Sequence, residues 1–421
     1  MIQVLSGIWA LLAGVVFIML GNGMHFTLMG LRGGIEGFSA TELAVVTSGY
    51  FVGFLSGARV APDMIKRVGH VRVFAALGSF MSASLIAFPL VADPWVWTIL
   101  RIVVGFCMSG IYVTAESWLN ASATNETRGK VLSAYMIAQT IGIIGAQALL
   151  TLGDAATATL FIGASILVSV SFGPILLSVT PTPAAEVTRP MPLRKLFRGS
   201  PLGTVGIFLL GTVYATQSGM GAVFGSQINL GADDISLFVA MLFAGALLFQ
   251  YPIGWLSDRM DRRKLIFGAA TAGALFCVAG WVSGDALWPL MGAAFFAGGV
   301  TTPLYALILA YTNDALPAED MPAASGGLVL TFGIGAILGP LITGWSMERF
   351  GAFAFWLVLA ATFTAIAAYA LYRMTQRATP SADDTESYLG VLPTATPLAV
   401  EAAGAWSADQ ADQNRTELDS D

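Results

Sequence analysis

Twelve apolar stretches recur along this chain. Each runs roughly 18 to 27 residues, enough to cross about 30 Å of hydrocarbon at 1.5 Å per residue. They fall near Leu5–Leu28, Leu43–Ala61, Val73–Ala92, Trp95–Leu119, Val131–Leu152 and Ala156–Val179, and then near Leu202–Ile228, Ile235–Leu256, Leu265–Val282, Leu287–Ala310, Ala323–Met347 and Phe353–Tyr372. A spanning segment must satisfy its own backbone, which leaves helices or a closed barrel, and these stretches lack the two-residue alternation of barrel strands. The expected class is an all-α membrane protein of twelve transmembrane helices in two six-helix bundles.

The boundaries follow from what separates the spans. Residues 1–179 form an N-terminal bundle and 201–375 a C-terminal one. The interdomain loop 180–200 opens with a proline-stiffened PTPAAE and closes with PLRKLFRGSP, which suits a short basic helix on anionic headgroups. Beyond Arg377 come nine acids against Arg415 alone, with Pro, Ser, Thr and Ala between them. That composition predicts a disordered, solvated acidic tail over 376–421, with a regulatory role as the other reading.

Only 11% of residues are charged, so their placement is informative. Lys66, Arg67, Arg72, Arg128, Lys130, Arg189, Arg194, Lys195, Arg198, Arg259, Arg262, Arg263, Lys264, Arg373 and Arg377 fall on one side of the spans, and only Arg32 and Arg349 on the other. Fifteen against two predicts that this basic side, with both termini and the central loop, is cytoplasmic. The first span has no basic segment before it and no small-residue cleavage site after it, so it reads as a retained helix rather than a signal peptide. Cys107 and Cys277 both lie inside apolar segments, which leaves no disulfide framework and no metal cluster. There is no P-loop, no nucleotide domain and no convergent acid, histidine or serine cluster. The chain therefore reads as neither an ATP-driven pump nor an enzyme, with no cofactor and no nucleic-acid partner.

The halves resemble each other at a fixed offset. Gly105 and Gly298, Asn120 and Asn313, and Gly142 and Gly335 are each 193 residues apart, and at an offset of 192 Arg67 falls on Arg259 and Arg72 on Lys264. The same basic junction thus follows spans 2 and 8. Its second copy, GWLSDRMDRRK from Gly254 to Lys264, packs most of its charge into a few residues directly after an apolar span. Twelve spans in a six-plus-six repeat, with this G-x-L-x-D-R-x-x-R-R-K run, resemble the major facilitator superfamily of secondary transporters over residues 1 to about 375. Gly254, Leu256, Asp258, Arg259, Arg262 and Arg263 match the family's loop signature, and Asp261 stands where a glycine is usual. The first copy, PDMIKRVGHVR, keeps Arg67, Gly69 and Arg72 but carries Lys66 in place of the acid. Arg101 with Gly105 resembles the family's intramembrane R-x-x-x-G motif. Gly335, Gly339, Pro340 and Gly344 resemble its G-x-x-x-G-P helix-packing motif, which the family more often shows in helix 5. AESWLN and IKRVGH are similar to a bacterial branch typified by the YcaD-like transporters.

Ionisable groups within a span are costly unless paired or hydrated, and His25, Arg101 and Glu116 stand out. Arg101 could clamp an anionic or hydroxylated substrate or hold down an acid, or it could be satisfied structurally by carbonyls. Glu116 suits a gating ion pair with Arg67 or Arg72, proton carriage, or a plain boundary acid. His25 suits proton sensing or plain interfacial hydrogen bonding. Asn22, Tyr112, Gln139, Tyr214, Gln217, Thr302 and Tyr305 lie in spans that would face the cavity in the family arrangement, and would form a mixed polar and apolar pocket or else bond between helices. The resemblance implies a monomeric secondary transporter in the bacterial cytoplasmic membrane. It would move a small organic solute by alternating access, coupled to protons, with the Asp258 junction as a latch. Uniport, sodium-coupled uptake and a non-transporting receptor on the same scaffold are the alternatives.

Overall fold

The computed structural model describes residues 2–176, 191–317, 320–376 and 388–406. Parts of the interdomain loop and of the tail, including Arg189, Arg377 and Arg415, lie outside them. Among the described residues, twelve helices are long and apolar enough to span a membrane. In chain order they are α1 Ile2–Ile35, α2 Ala40–Val68, α3 His70–Ala87, α4 Pro94–Ser122, α5 Asn125–Leu150, α6 Thr159–Leu176, α7 Pro201–Gln227, α8 Ala232–Ser257, α9 Arg262–Val282, α10 Leu287–Asp314, α11 Met321–Phe350 and α12 Ala354–Met374.

Several helices overrun the apolar windows that announce them, because capped polar ends continue the helix. Ser39 and Glu42 form a reciprocal capping box at the start of α2, and the Asp93 carboxylate accepts from the Trp95 and Val96 N–H groups at the start of α4. One deviation had no clear sequence signal: α7 carries a π-helical turn over Thr216–Met220, where small residues let the ladder absorb an extra residue.

The two halves repeat their packing. In the first, α2 crosses α4, α1 packs on α5 and α3 on α6; in the second, α8 crosses α10, α7 packs on α11 and α9 on α12. The matched glycines explain the match. A Cβ on Gly105 would lie 1.9 Å from the Tyr50 carbonyl oxygen, and one on Gly298 would lie 2.1 Å from that of Leu242, so each glycine lets two helices touch backbone to backbone. Tyr50 and Leu242 are themselves 192 residues apart. Gly335 and Gly339 play the corresponding part where α11 meets α7, against the carbonyls of Phe208 and Thr212, and Pro340 follows them inside α11.

Between halves, α2 meets α11, α1 meets α7 and α5 meets α8. At the end opposite the basic loops these contacts are tight: Gly30 abuts Ala222, Gly34 abuts Ser226, and Gly344 abuts Ala40 and Ala44. Toward the basic end α5 and α8 leave a gap, and the chain's own C-terminal segment enters it. Residues 388–396 run in without regular structure, turning at Pro393–Thr394, and 397–406 form a helix whose Ala399, Val400, Ala402 and Ala403 are buried. The disorder expected from composition therefore does not hold over 388–406. The apolar stretch PLAVEAAGAW is short, but the open end of the bundle gives it a surface to bury against.

Candidate functional site: a central cavity with two buried charges

Helix α4 places two charged side chains fifteen residues apart, about 22 Å along its axis. Arg101 lies toward the closed end and is 1% exposed. Its Nη1 is 3.1 Å from His25 Nδ1, and its guanidinium stacks over Phe26 at 4.1 Å and Tyr50 at 4.9 Å. His25 is itself fully buried, edge-on to Phe88 at 4.6 Å. It is a core partner of the arginine and not an interfacial group. Among the described residues no carboxylate pairs with Arg101, and Phe26 and Tyr50 stand between it and the cavity.

Glu116 lies toward the basic end and is also fully buried. An ion pair with Arg67 or Arg72 is not what it makes, since both arginines are exposed. Its Oε1 accepts from the Tyr135 hydroxyl at 3.1 Å, and its Oε2 accepts from the Thr396 backbone N–H at 3.0 Å and from the Thr396 hydroxyl. The Ala399 N–H also bonds to this carboxylate. Thr396 precedes the 397–406 helix and Pro397 opens it, so Glu116 satisfies the free N–H groups at that helix's start.

Between the two charges lies the cavity. A pocket lined by Asn22, Phe26, Tyr50, Tyr112, Gln147, Tyr214 and Ser218 has room for only about 40 Å³, and Thr394 forms its wall on the basic side. Thr394 sits against the hydroxyls of both Tyr112 and Tyr214. Beyond it a larger cavity of about 460 Å³ opens between α5 and α8, lined by Ile137, Phe243, Leu247, Gln250, Trp255, Asp258 and Thr302, with Tyr388–Gly390 forming one side. Gln217 and Thr302 join Tyr214 around a small side pocket, the π-turn carrying Gln217 into it. Gln139 lies beneath the tail at Gly390–Leu392, and Tyr305 is in the core against Phe332. The amide oxygen of Asn22, Gln217 Nε2 and the Tyr305 hydroxyl are buried and have no hydrogen-bond partner among the described residues.

The basic junction is more closely integrated than its sequence suggests. Arg262 is nearly fully buried, with Nη1 2.5 Å from Asp314 and Nε 3.2 Å from Ser257 Oγ. Asp258, 40% exposed, stands 4.0 Å from Arg262 Nη2 and accepts the Tyr388 N–H at 2.8 Å. Burial, and then the Asp258 carboxylate beside it, push the Tyr388 hydroxyl well above its usual range, and that hydroxyl accepts from Gln250 Nε2 at 2.9 Å. Arg263 bonds Asp261, which caps α9, while Arg259 stacks on Trp255 at 4.3 Å. Gly254 abuts the Tyr388 ring. Gly69, at the first-half position matching Asp261, has φ +85 where Asp261 has φ −54. The two copies of the junction therefore turn differently.

Sequence reasoning missed Phe26, Tyr50, Gln147, Gln250, Asp314, Thr394 and Thr396. Only Asp314 had a usable signal, since it adjoins Asn313, the repeat mate of Asn120. The tail threonines had none, because composition carries no information about which groove a segment enters.

Comparison with known proteins agrees with this architecture. The Major Facilitator Superfamily profile matches residues 11–231 and 203–407. The chain is 25% identical over 351 residues to YfkF of Bacillus subtilis, an uncharacterised MFS-type transporter, covering 77% of this chain and 89% of that one. It is 27% identical over 346 residues to YcaD of Escherichia coli, likewise an uncharacterised MFS-type transporter, covering 81% and 88%. The fold is similar to the crystal structure of the nucleoside transporter NupG, with TM-score 0.71 and 14% identity over 86% of this chain and 98% of that one. It is also similar to an inward-facing bacterial homologue of the human lysosomal transporter Spinster, with TM-score 0.64 and 14% identity over 96% and 98%. Twelve spanning helices, the repeated crossing glycines and these matches together establish that the chain belongs to the Major Facilitator Superfamily, as a multi-pass membrane transporter and not an enzyme.

Proposed function

We propose that the protein is a proton-coupled secondary transporter for a small, uncharged, hydrogen-bonding solute with an apolar or flat face. It lies in the bacterial inner membrane as a monomer, with the basic end and both termini cytoplasmic. The orientation rests on the fifteen basic residues gathered at one end. The substrate class rests on one observation. Asn22 lines the central pocket and Gln217 the side pocket beside it, each among aromatic rings and each with a buried polar atom that has no hydrogen-bond partner among the described residues, and Arg101 is screened from both. A buried polar atom without a partner costs roughly 1–3 kcal/mol, which a solute offering both donors and acceptors would recover on binding. A nucleoside meets this description, and the fold is shared with a nucleoside transporter. Closure at the far end against a gap at the basic end fits one state of an alternating-access cycle. In this reading Glu116 carries the proton, supported by its being a fully buried carboxyl on α4 that faces the tail segment between the halves.

Counterflow of labelled uridine and of a neutral hexose in proteoliposomes, with and without an imposed pH gradient, tests this reading. Solute-dependent lumenal pH change is expected. Flux indifferent to the gradient would make the protein a uniporter, and no flux of any neutral solute would sink the substrate class.

A further inference from the structure

The C-terminal segment enters the bundle at the place where a solute would have to pass, and its contacts there are specific. Tyr388 gives its N–H to Asp258 and its hydroxyl accepts from Gln250. Thr394 stands against Tyr112 and Tyr214. Thr396 gives both its N–H and its hydroxyl to Glu116. A Cβ on Gly129 of α5 would touch the Trp406 ring, which places the end of the tail helix against α5. The consequence is volumetric: behind Thr394 the central pocket holds about 40 Å³, whereas pockets for small organic ligands run to about 300–1,000 Å³.

We propose that the basic half of the cavity is a receptor site for the chain's own 388–406 segment, and that the docked segment is a plug competing with substrate for the path past Glu116. This rests on the transporter reading above. Glu116 is the main anchor, because a carboxylate at the start of a helix both accepts its free N–H groups and faces the positive end of its dipole. Asp258 is the second. The plug therefore occupies both the buried acid of α4 and the acid of the basic junction. A rocking motion that moves α4 relative to α8 cannot keep both contacts, so the tail holds the two halves in the arrangement seen here until it leaves.

The test uses the full-length chain with Cys107→Ala and Cys277→Ala as background. Gly390 and Gln250 are adjacent, a Cβ on Gly390 lying 3.2 Å from Gln250 Cγ, and Gly390 does not need a positive φ. Gln250→Cys with Gly390→Cys should form a disulfide on mild oxidation in native membranes, read as loss of both additions of a polyethylene-glycol maleimide. In a second arm, Leu132→Cys on the tail-covered face of α5 is labelled with a charged, impermeant maleimide in inside-out vesicles. Truncation after Gln376 should speed that labelling at least tenfold. Glu116→Gln and Thr396→Ala in full-length protein should each speed it several-fold, by weakening the anchor. In proteoliposomes the oxidised pair should slow uridine or hexose counterflow at least tenfold, with recovery on reduction. Absence of the disulfide together with equal Leu132→Cys labelling in full-length and truncated protein would overturn the docking. Disulfide formation with equal flux before and after reduction would overturn the plug. If neither solute moves in any variant, the substrate reading fails, while the labelling rates still decide whether the tail closes the path.

Discussion

The Arg101–His25 pair offers a quantitative check on how the closed half of the first bundle is held. The guanidinium makes one hydrogen bond at 3.1 Å and two stacking contacts at 4.1 and 4.9 Å. A hydrogen bond to a charged group contributes about 1.5–3 kcal/mol and a desolvated cation–π contact about 1–2 kcal/mol, so the favourable contacts together contribute roughly 3.5–7 kcal/mol. Against them stands the desolvation of a charge with no carboxylate beside it, which costs several kcal/mol. The two nearly cancel. Replacing the arginine with an apolar side chain of similar length should therefore change stability mainly through the partner left behind: Arg101→Met strips His25 Nδ1 of its contact, a cost of about 1–3 kcal/mol. His25→Leu on top should restore most of it, giving a coupling of about 1.5–3 kcal/mol in a double-mutant cycle. At about 2–4 °C per kcal/mol for a six-helix half of this size, the coupling is worth roughly 3–12 °C in Tm, measured by thermal unfolding in detergent. Counterflow should be lost in Arg101→Met and should stay lost in the double variant, since Phe26 and Tyr50 would no longer be held over the guanidinium. Additive effects on Tm within about 0.5 kcal/mol, or a fully active Arg101→Met, would refute the reasoning.

Other outcomes follow from named contacts. Gly105→Ala and Gly298→Ala should each lower Tm by the equivalent of about 1–3 kcal/mol, because the new methyl meets a carbonyl oxygen at 1.9 and 2.1 Å and the crossing must open; an unchanged Tm in either would show that the crossing gives freely. Arg262→Ala should cost up to about 3–5 kcal/mol, because it takes a buried guanidinium away from the largely buried Asp314 and from Ser257, whereas Arg259→Ala, which removes an exposed stack, should cost well under 1 kcal/mol; the two melting curves measured side by side decide this. Asp258→Asn should alter flux with little change in membrane insertion or Tm, and Lys66→Ala, exposed in the last helical turn of α2 and without a tail contact among the described residues, should leave flux within about twofold; equal effects would argue against an asymmetric latch. Gln217→Leu should preserve or raise Tm while raising the apparent KM about tenfold, since it removes a polar atom that is unpartnered without substrate, whereas Asn22→Leu should raise KM and also lower Tm, because the Asn22 amide bonds the buried Tyr50 hydroxyl.

The legible part of this protein was whatever repeats along the chain at helical spacing. Span length, the lateral distribution of Lys and Arg, and the 193-residue echo of Gly105 in Gly298 are local or periodic signals, and they determined twelve helices, two matched halves and the family. Residues such as Arg101, Glu116 and Gln217 could be nominated because charge and amide groups are costly in a span. What each of them touches was not legible. Arg101 meets His25 from a helix 76 positions earlier, and Glu116 meets Thr396 from 280 positions later. Only the tertiary structure decided that the acidic tail is, over 388–406, part of the bundle. Its apolar residues are too few to fold alone, and the surface that stabilises them exists only once α4, α5 and α8 have packed around an open end. Chain composition gives the free energy of a segment in water, and the groove it enters sets the free energy of leaving it.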